Sequence, residues 1–106
     1  MKQAKRKRLQ AAGWRVGSTA EFLGLSPEDV MLVEIKLALA TALRARRTKL
    51  GLTQHALARR LGSSQSRVAK MEAADRSVTM DLLVAALAVL GATQREVARM
   101  ISKHAA

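Results

Sequence analysis

The sequence contains no cysteine, a single proline and no tyrosine. Without cysteine, the chain has no disulfide scaffold, no thiolate nucleophile and no zinc site with sulfur ligands. Its two histidines, His55 and His104, are far apart in the sequence, and neither stands at a metal-ligating spacing from a carboxylate. The composition therefore predicts a protein without a metal site.

Aromatic side chains are limited to Trp14 and Phe22. Proteins that read single-stranded RNA or DNA usually stack the bases on aromatic rings, so the composition argues against that class. Insertion of a helix into a groove of duplex DNA needs no aromatic residue. Double-stranded DNA therefore remains open as a partner.

Long hydrophobic runs are also missing. No apolar segment approaches the roughly 18 residues that span a bilayer, and no signal-peptide core follows the basic start. Helix caps and helix pairing explain most of the acidic residues, and no motif indicates a catalytic site or a phosphate-cradling loop, although sequence order alone leaves a spatial triad open. We expect a soluble cytoplasmic protein that is not an enzyme and uses no cofactor.

Positive charge dominates what is present. The chain has 19 Lys and Arg against 8 Asp and Glu, for a net charge of +11, which points to nucleic acid or an anionic membrane surface as the partner. Met1–Arg8 is strongly basic and begins a predicted flexible arm over residues 1–17. The arm is either a solvating tail or a DNA contact. Membrane binding is the third alternative, and the arm lacks the apolar anchors for it, so we expect no membrane partner.

Residues 18–106 are predicted to form one all-α domain, a compact bundle of five to six helices. Serine and threonine caps and glycine stops recur along the chain, and no run has the periodicity of a β-strand. An N-terminal extension occupies residues 18–26, and C-terminal helices occupy residues 80–103. The predicted helices, with approximate ends, cover residues 19–23, 27–49, 54–61, 64–73, 80–90 and 94–103.

Two of these helices are short and joined by a tight turn, over residues 54–73. Ala58 is small where the two backbones approach, Gly62 can take the positive φ of the turn, and Ser63 is the predicted cap of the second helix. Amide and guanidinium groups on that helix match adenine and guanine edges in the major groove. The residues predicted to read DNA bases are Ser64, Gln65, Ser66, Arg67 and Lys70.

The segment Leu-Thr-Gln-x-x-Leu-Ala-x-x-Leu-Gly-x-Ser-Gln-Ser-x-Val-x-x-Met-Glu, over residues 52–72, resembles the Cro/repressor-type (XRE) helix-turn-helix family. With its flanking helices the resemblance covers residues 43–90 and implies a lambda-repressor-like helix-turn-helix. In that family the glutamine at the position of Gln54 contacts a phosphate and supports the reading glutamine, here Gln65. The neighbouring Ser66 is implied to assist the base contact.

Two residues depart from the family pattern. Ser63 replaces the usual apolar residue after the turn glycine, and Ala74 stands where a glycine commonly follows the motif. Neither change removes the reading face, which is the set of predicted base-reading residues from Ser64 to Lys70. The residues predicted to contact DNA phosphates are Thr53, Gln54, Arg44, Arg46, Arg47, Lys49, Arg59 and Arg60.

The segment over residues 82–90 is apolar on all sides, and a helix of that kind must bury more than one face. We predict that it serves both the core and a homodimer seam, since helix-turn-helix proteins usually pair to read two half-sites. The predicted dimer contacts are Leu82, Leu83, Ala86, Leu87 and Leu90.

The N-terminal layout, Ala-Gly-Trp over residues 12–14 and Phe-Leu-Gly-Leu-Ser over residues 22–26, resembles more loosely the HigA-type antitoxins. This resemblance implies autoregulation of an operon and a toxin as protein partner. Trp14 and Phe22 then either pin the extension onto the domain or contact the toxin. Our prediction is a sequence-specific repressor that binds double-stranded DNA; the alternative is a protein-interaction module that mainly neutralises a partner toxin.

Overall fold

The structure is a computed structural model that describes residues 24–104. These residues contain five α-helices and no β-strand, which confirms the all-α fold. The basic arm, the predicted helix near residues 19–23, and both aromatic residues lie outside the described residues. The helices are α1 (Pro27–Lys49), α2 (Gln54–Leu61), α3 (Gln65–Glu72), α4 (Met80–Val89) and α5 (Gln94–His104).

Hydroxyl side chains cap the first turns, as the sequence predicts. The Thr53 Oγ1 accepts a hydrogen bond from the Ala56 N–H at 3.0 Å, and the Thr79 Oγ1 accepts one from the Leu82 N–H at 3.2 Å. At α5, Thr93 and Glu96 form a reciprocal capping box, with distances of 3.1 and 2.8 Å between their side-chain oxygens and each other's backbone nitrogens. Each contact satisfies a backbone donor that the helix itself leaves unpaired.

α3, the second helix of the helix-turn-helix, begins one residue later than predicted. Ser64, not Ser63, is its cap, and the Ser64 Oγ accepts from the Arg67 N–H at 3.2 Å. Ser63 follows α2 and closes its C-terminal end, because the Ser63 N–H donates to the Ala58 carbonyl at 2.8 Å. Gly62 makes this possible by adopting a φ of 63°, a left-handed conformation that glycine enters without steric cost.

Ala74, the second departure from the family pattern, follows α3 with a φ of 52°. It is the one described non-glycine residue in the left-handed region, where a Cβ atom approaches the following carbonyl oxygen. The chain therefore keeps the turn that a glycine would supply, and it does so with a strained residue.

Six fully buried side chains form the centre of residues 35–104. They come from four helices, so one apolar cluster joins the two motif helices to α1 and α4. No polar or charged residue is buried as a whole among the described residues, and the least exposed charged side chain in an ion pair there is that of Glu72, at 4%. The six residues are Leu39, Leu43, Leu57, Val68, Leu83 and Leu87.

Most of the residues predicted to form the dimer seam are buried within a single chain. Leu83, Ala86, Leu87 and Leu90 are at most 5% exposed, because they pack into the core of a single chain, and Leu82 is half-buried beside them. The exposed side of α4 carries a different apolar set at helical spacing. Its members are Val84, Ala85, Ala88 and Val89.

Residues 24–34 belong to a unit separate from residues 35–104. In this part, the Ser26 hydroxyl caps α1 by accepting from the Asp29 N–H at 3.1 Å, and it also donates to the Asp29 carboxylate at 3.0 Å. None of the described helices combines the length and hydropathy needed to cross a membrane.

Candidate nucleic-acid interface

The polar side of α3 faces solvent. Gln65, Ser66, Arg67 and Lys70 are exposed, as is the capping residue Ser64, while Val68 and Met71 of the same helix are buried in the core. The spacing of Val68 and Met71, three residues apart, fixes which side turns inward. The structure therefore brings all five predicted base-reading residues together at one solvent-exposed helix and its cap.

The Gln65 side chain is held by a chain of hydrogen bonds. Its Nε2 donates to the Gln54 Oε1 at 2.7 Å, and the Gln54 Nε2 donates to the Glu72 Oε1 at 3.1 Å. Each amide thus has its orientation fixed by a partner, which reduces the rotamer freedom that binding of any ligand would otherwise remove. The contact between Gln54 and Gln65 matches the support that the resemblance implies.

Arg47 anchors this chain from α1. Its Nε and Nη2 donate to the two carboxylate oxygens of Glu72 at 2.5 and 3.0 Å, and its Nη1 donates to the Leu52 carbonyl at 2.7 Å. The two side chains are only 13% and 4% exposed. The hydrogen bond to Glu72 is the main reason that the pKa of Arg47 is raised, so the guanidinium of Arg47 stays protonated.

This placement corrects one predicted phosphate contact. All three guanidinium nitrogens of Arg47 donate to Glu72 or to the Leu52 carbonyl. Arg47 therefore holds Glu72, which in turn orients Gln54 and Gln65. The sequence carries a signal for this role, since Arg47 follows the buried Leu39 and Leu43 at four-residue intervals on the inward side of α1. Without the fold, nothing identified Glu72 as its partner.

Arg46 also differs from its predicted role. Its Nε donates to the Leu90 carbonyl at 2.9 Å, and its Nη1 lies 3.6 Å from the Glu96 carboxylate. These contacts join α1 to the turn between α4 and α5. Arg46 therefore binds the end of α4 and the start of α5, where the sequence analysis expected a phosphate contact.

The other predicted phosphate-contacting residues remain accessible. Their positively charged or hydrogen-bonding groups reach solvent from α1, α2 and the residue before α2, apart from Gln54, which is half-buried. These residues are Arg44, Lys49, Thr53, Gln54, Arg59 and Arg60.

The first turns of α2 and α3 contain no acidic residue, in contrast to those of the other helices with described first turns. Glu28 and Asp29 lie in the first turn of α1, Asp81 in that of α4, and Glu96 in that of α5. Backbone N–H groups and the helix dipole make a helix N-terminus attractive to anions. At α2 and α3 no carboxylate of the same turn competes with an external phosphate.

Comparison with known proteins supports the arrangement from sequence similarity. The family model described as helix-turn-helix matches residues 43–96, just over half of the 106-residue chain. This range extends from the last part of α1 into the first turn of α5. The searches among curated proteins and among solved structures gave no match.

Proposed function

Because this protein belongs to the helix-turn-helix family of DNA-binding transcription regulators, we propose that it represses transcription by binding specific double-stranded DNA as a homodimer. The observation that carries the proposal is the Gln65 amide, exposed on α3 and oriented through Gln54 and Glu72. A cytoplasmic location of the protein is part of this proposal.

The amide of Gln65 retains the groups that an adenine requires. A glutamine amide has two N–H donors and one carbonyl acceptor, and Gln54 uses one donor. The remaining N–H and the carbonyl match the N7 acceptor and the N6 donor of adenine in the major groove. We therefore assign Gln65 to an adenine, with α3 inserted in the major groove.

Arg67 and Lys70 extend the same exposed side of α3. The planar guanidinium of Arg67 suits the O6 and N7 acceptors of guanine, whereas an ammonium group such as that of Lys70 acts as a point charge toward a base or a phosphate. Ser64 and Ser66 supply short hydroxyl groups, and their Oγ atoms lie 3.2 Å apart in the unbound protein.

Phosphate contacts would fix the register of α3 on the duplex. We assign these contacts to the N-termini of α2 and α3, which have no acid in the first turn, together with the exposed cations Arg59 and Arg60. Arg44 and Lys49 add sequence-independent attraction. Such contacts supply affinity that falls with salt and carry little sequence information.

The apolar exposed side of α4 is our proposed dimer seam. Val84, Ala85, Ala88 and Val89 provide apolar surface, and α4 has only one charged residue, Asp81. A second copy of the chain is the proposed occupant, because two copies related by a twofold axis would present two α3 helices to half-sites about 34–36 Å apart. This seam replaces the one built from the core leucines.

Autoregulation and an antitoxin role are a narrower proposal, carried by the resemblance over residues 12–26 to the HigA-type antitoxins. In this proposal the protein represses its own operon and binds a toxin partner through Trp14 and Phe22. Co-purification with the product of the adjacent gene, compared between the full chain and a Trp14→Ala, Phe22→Ala double variant, tests it. Undiminished co-purification of the double variant would reject this pair as the toxin contact.

Selection of bound duplexes from a random pool, followed by affinity measurements, tests the DNA-reading assignment. Gln65→Ala and Arg67→Ala should each weaken binding to the selected duplex by about 1–3 kcal/mol and leave binding to random DNA nearly unchanged. Gln94→Ala and Arg99→Ala remove the same side-chain types from exposed positions on α5 and serve as matched controls. Equal losses on selected and random DNA would reject the base-reading role.

The phosphate and dimer assignments have separate measurements. Arg59→Ala should weaken binding to all duplexes and lower the slope of log affinity against log salt by about 0.9. Val84→Asp should convert a sedimenting dimer into a monomer, with Asp81→Ala on the same helix as the control. A monomer before any substitution, at concentrations that saturate DNA, would contradict the seam.

A further inference from the structure

An open groove of about 470 Å³ runs between α1 and α5. Small side chains on α1 form most of its floor, and Met100 of α5 adds a flexible apolar wall. Lys49 and Lys103 lie at its edge, one from each helix. The small α1 residues that line it are Ala38, Thr41, Ala42 and Ala45, of which Thr41 contributes a hydroxyl group.

The shape of the groove suits a slender apolar group. Alanine at positions 38, 42 and 45 keeps one side of α1 low, and the groove follows α1 from Ala38 to Lys49, a rise of about 16 Å. Its volume falls within the roughly 300–1,000 Å³ that is usual for small-molecule sites, which are mostly apolar with a few placed polar groups. An extended alkyl chain fits this outline better than a broad ring system.

The charge at the groove is positive. Neither Lys49 nor Lys103 forms an ion pair with a described residue. Arg46 also lines the groove, but it is committed to the Leu90 carbonyl and to Glu96. Glu96 does not line the groove, and its carboxylate contacts Arg46 and accepts from the Thr93 N–H, so among the lining residues the two lysines are the cations that can meet an anion.

The groove and the support of the reading face lie on different sides of α1. At about 100° per residue, Ala45 and Arg47 are separated by roughly 200° around the helix. Arg47 contacts Glu72, behind α3, whereas Arg46 and the alanines face α4 and α5. A ligand in the groove would therefore leave the Gln65 chain of hydrogen bonds intact.

We propose that this groove binds a small aliphatic monocarboxylate, with its alkyl chain along Ala38, Ala42 and Ala45 and its carboxylate against the lysine ammonium groups that line the groove. The apolar floor distinguishes this ligand from a free phosphate or a DNA backbone, which would need the cations alone. The proposal does not depend on the base-reading residues of α3, although Lys49 is shared with the sequence-independent attraction of DNA proposed above.

Decanoate, titrated below its micelle concentration and followed by backbone amide chemical shifts, is the probe. The expected result is saturable binding of one molecule per chain, with the largest shift changes in residues 38–49 and 100–103. Acetate has the charge without the chain, and decyltrimethylammonium has the chain with the opposite charge. Both should bind at least roughly tenfold more weakly than decanoate, equivalent to about 1.4 kcal/mol.

Two variants test the residues. Ala45→Leu fills the groove from an exposed position and should weaken decanoate binding at least roughly tenfold. The Lys49→Gln, Lys103→Gln double variant should do the same, while Lys70→Gln, a lysine removed from α3, should have no effect on decanoate binding. Retained shift dispersion in each variant verifies its fold.

Several outcomes would overturn the proposal. These are the absence of saturation by decanoate, equal binding of decyltrimethylammonium, shift changes centred outside the groove, and unchanged affinity in both variants. A dimer that dissociates on Ala45→Leu substitution would assign the groove to a second copy of the chain and would likewise reject the carboxylate.

Discussion

The outward sides of α3 and α4 differ in chemistry, although both helices begin with a hydroxyl cap and both contribute to one core. α3 exposes amide, hydroxyl and cationic groups, while α4 exposes valine and alanine. The inward sides differ as well. Glu72 at the end of α3 takes part in an ion pair, whereas Leu83 and Leu87 of α4 make only apolar contacts.

The difference shows two ways of holding a helix in place. Hydrogen bonds depend on direction, so the network of Arg47, Glu72 and Gln54 fixes how α3 presents its side chains. Apolar burial has little directional content and scales with area, so α4 is held without orienting any polar group. Under our proposal, α3 needs the first kind of support to distinguish bases, and α4 can use the second kind to meet a second copy of the chain.

Removal of the carboxylate at Glu72 should have the largest effect. Glu72→Ala leaves the guanidinium of Arg47 largely buried without its partner, and we expect a loss of about 3–5 kcal/mol in the free energy of unfolding. Urea denaturation measures it. Asp81→Ala, which removes an exposed acid from α4, should cost no more than about 1 kcal/mol. Similar losses in the two variants would mean that the ion pair does not secure α3.

The apolar support of α4 can be separated into its two sides. Leu87→Ala should lower the free energy of unfolding by about 2–5 kcal/mol, because it opens a cavity in the core. Val84→Ala on the exposed side should change it by about 0.5 kcal/mol or less at concentrations where the chain is monomeric. Urea denaturation of both variants checks this. A large loss on Val84→Ala in the monomer would show that this side is already covered within one chain.

The turn between these two helices offers a stabilising change. Ala74→Gly should raise the free energy of unfolding by about 0.5–1 kcal/mol, because relief of the left-handed strain exceeds the added entropy of the unfolded chain. Thermal unfolding measures the effect. Ala73→Gly is the control, since Ala73 has an ordinary φ of −88° and should lose stability on the same change. A decrease for Ala74→Gly would show that its backbone is unstrained.

The smallest expected effect is a dependence of stability on pH, which arises from Asp75 in the same turn. Hydrogen bonds from the side chain and backbone N–H of Ser77 hold the pKa of Asp75 below its ordinary value. Since the folded pKa is the lower one, the stabilisation is complete above the ordinary pKa and is lost as pH falls through the folded value. The difference in urea midpoint between the wild type and Asp75→Asn should therefore shrink on acidification below about pH 4. A constant difference would contradict this.

Sequence patterns predicted the local structure well and the long-range contacts poorly. The caps at Thr53, Thr79 and Thr93 depend on neighbours within three residues, so the sequence contains the whole cause of those helix starts. The start of α3 was misplaced by one residue because two serines adjoin, and only the contact of the Ser63 N–H with Ala58 distinguishes them.

In the candidate site, too, the local features could be predicted from the sequence and the long-range contacts could not. Periodicity was enough to predict that the polar residues of α3 face outward, because Val68 and Met71 must face the core. Periodicity did not show that Arg47 would find Glu72, which lies 25 residues away, or that Arg46 would bind the Leu90 carbonyl, which lies 44 residues away. For α4, an apolar residue at every position from 82 to 89 gave no indication of which leucines the core would use.

Under the base-reading role that we propose for Gln65, its hydrogen bond to Gln54 also limits how this chain can acquire a new target sequence. A substitution at Gln65 by a residue without an amide donor would leave the Gln54 carbonyl oxygen without the partner that orients it. The neighbouring bond to Glu72 would then hold Gln54 from one end only. Descendants of this protein that change their preferred base are therefore expected to change positions 54 and 65 as a pair, so that divergence in recognition proceeds by coupled steps.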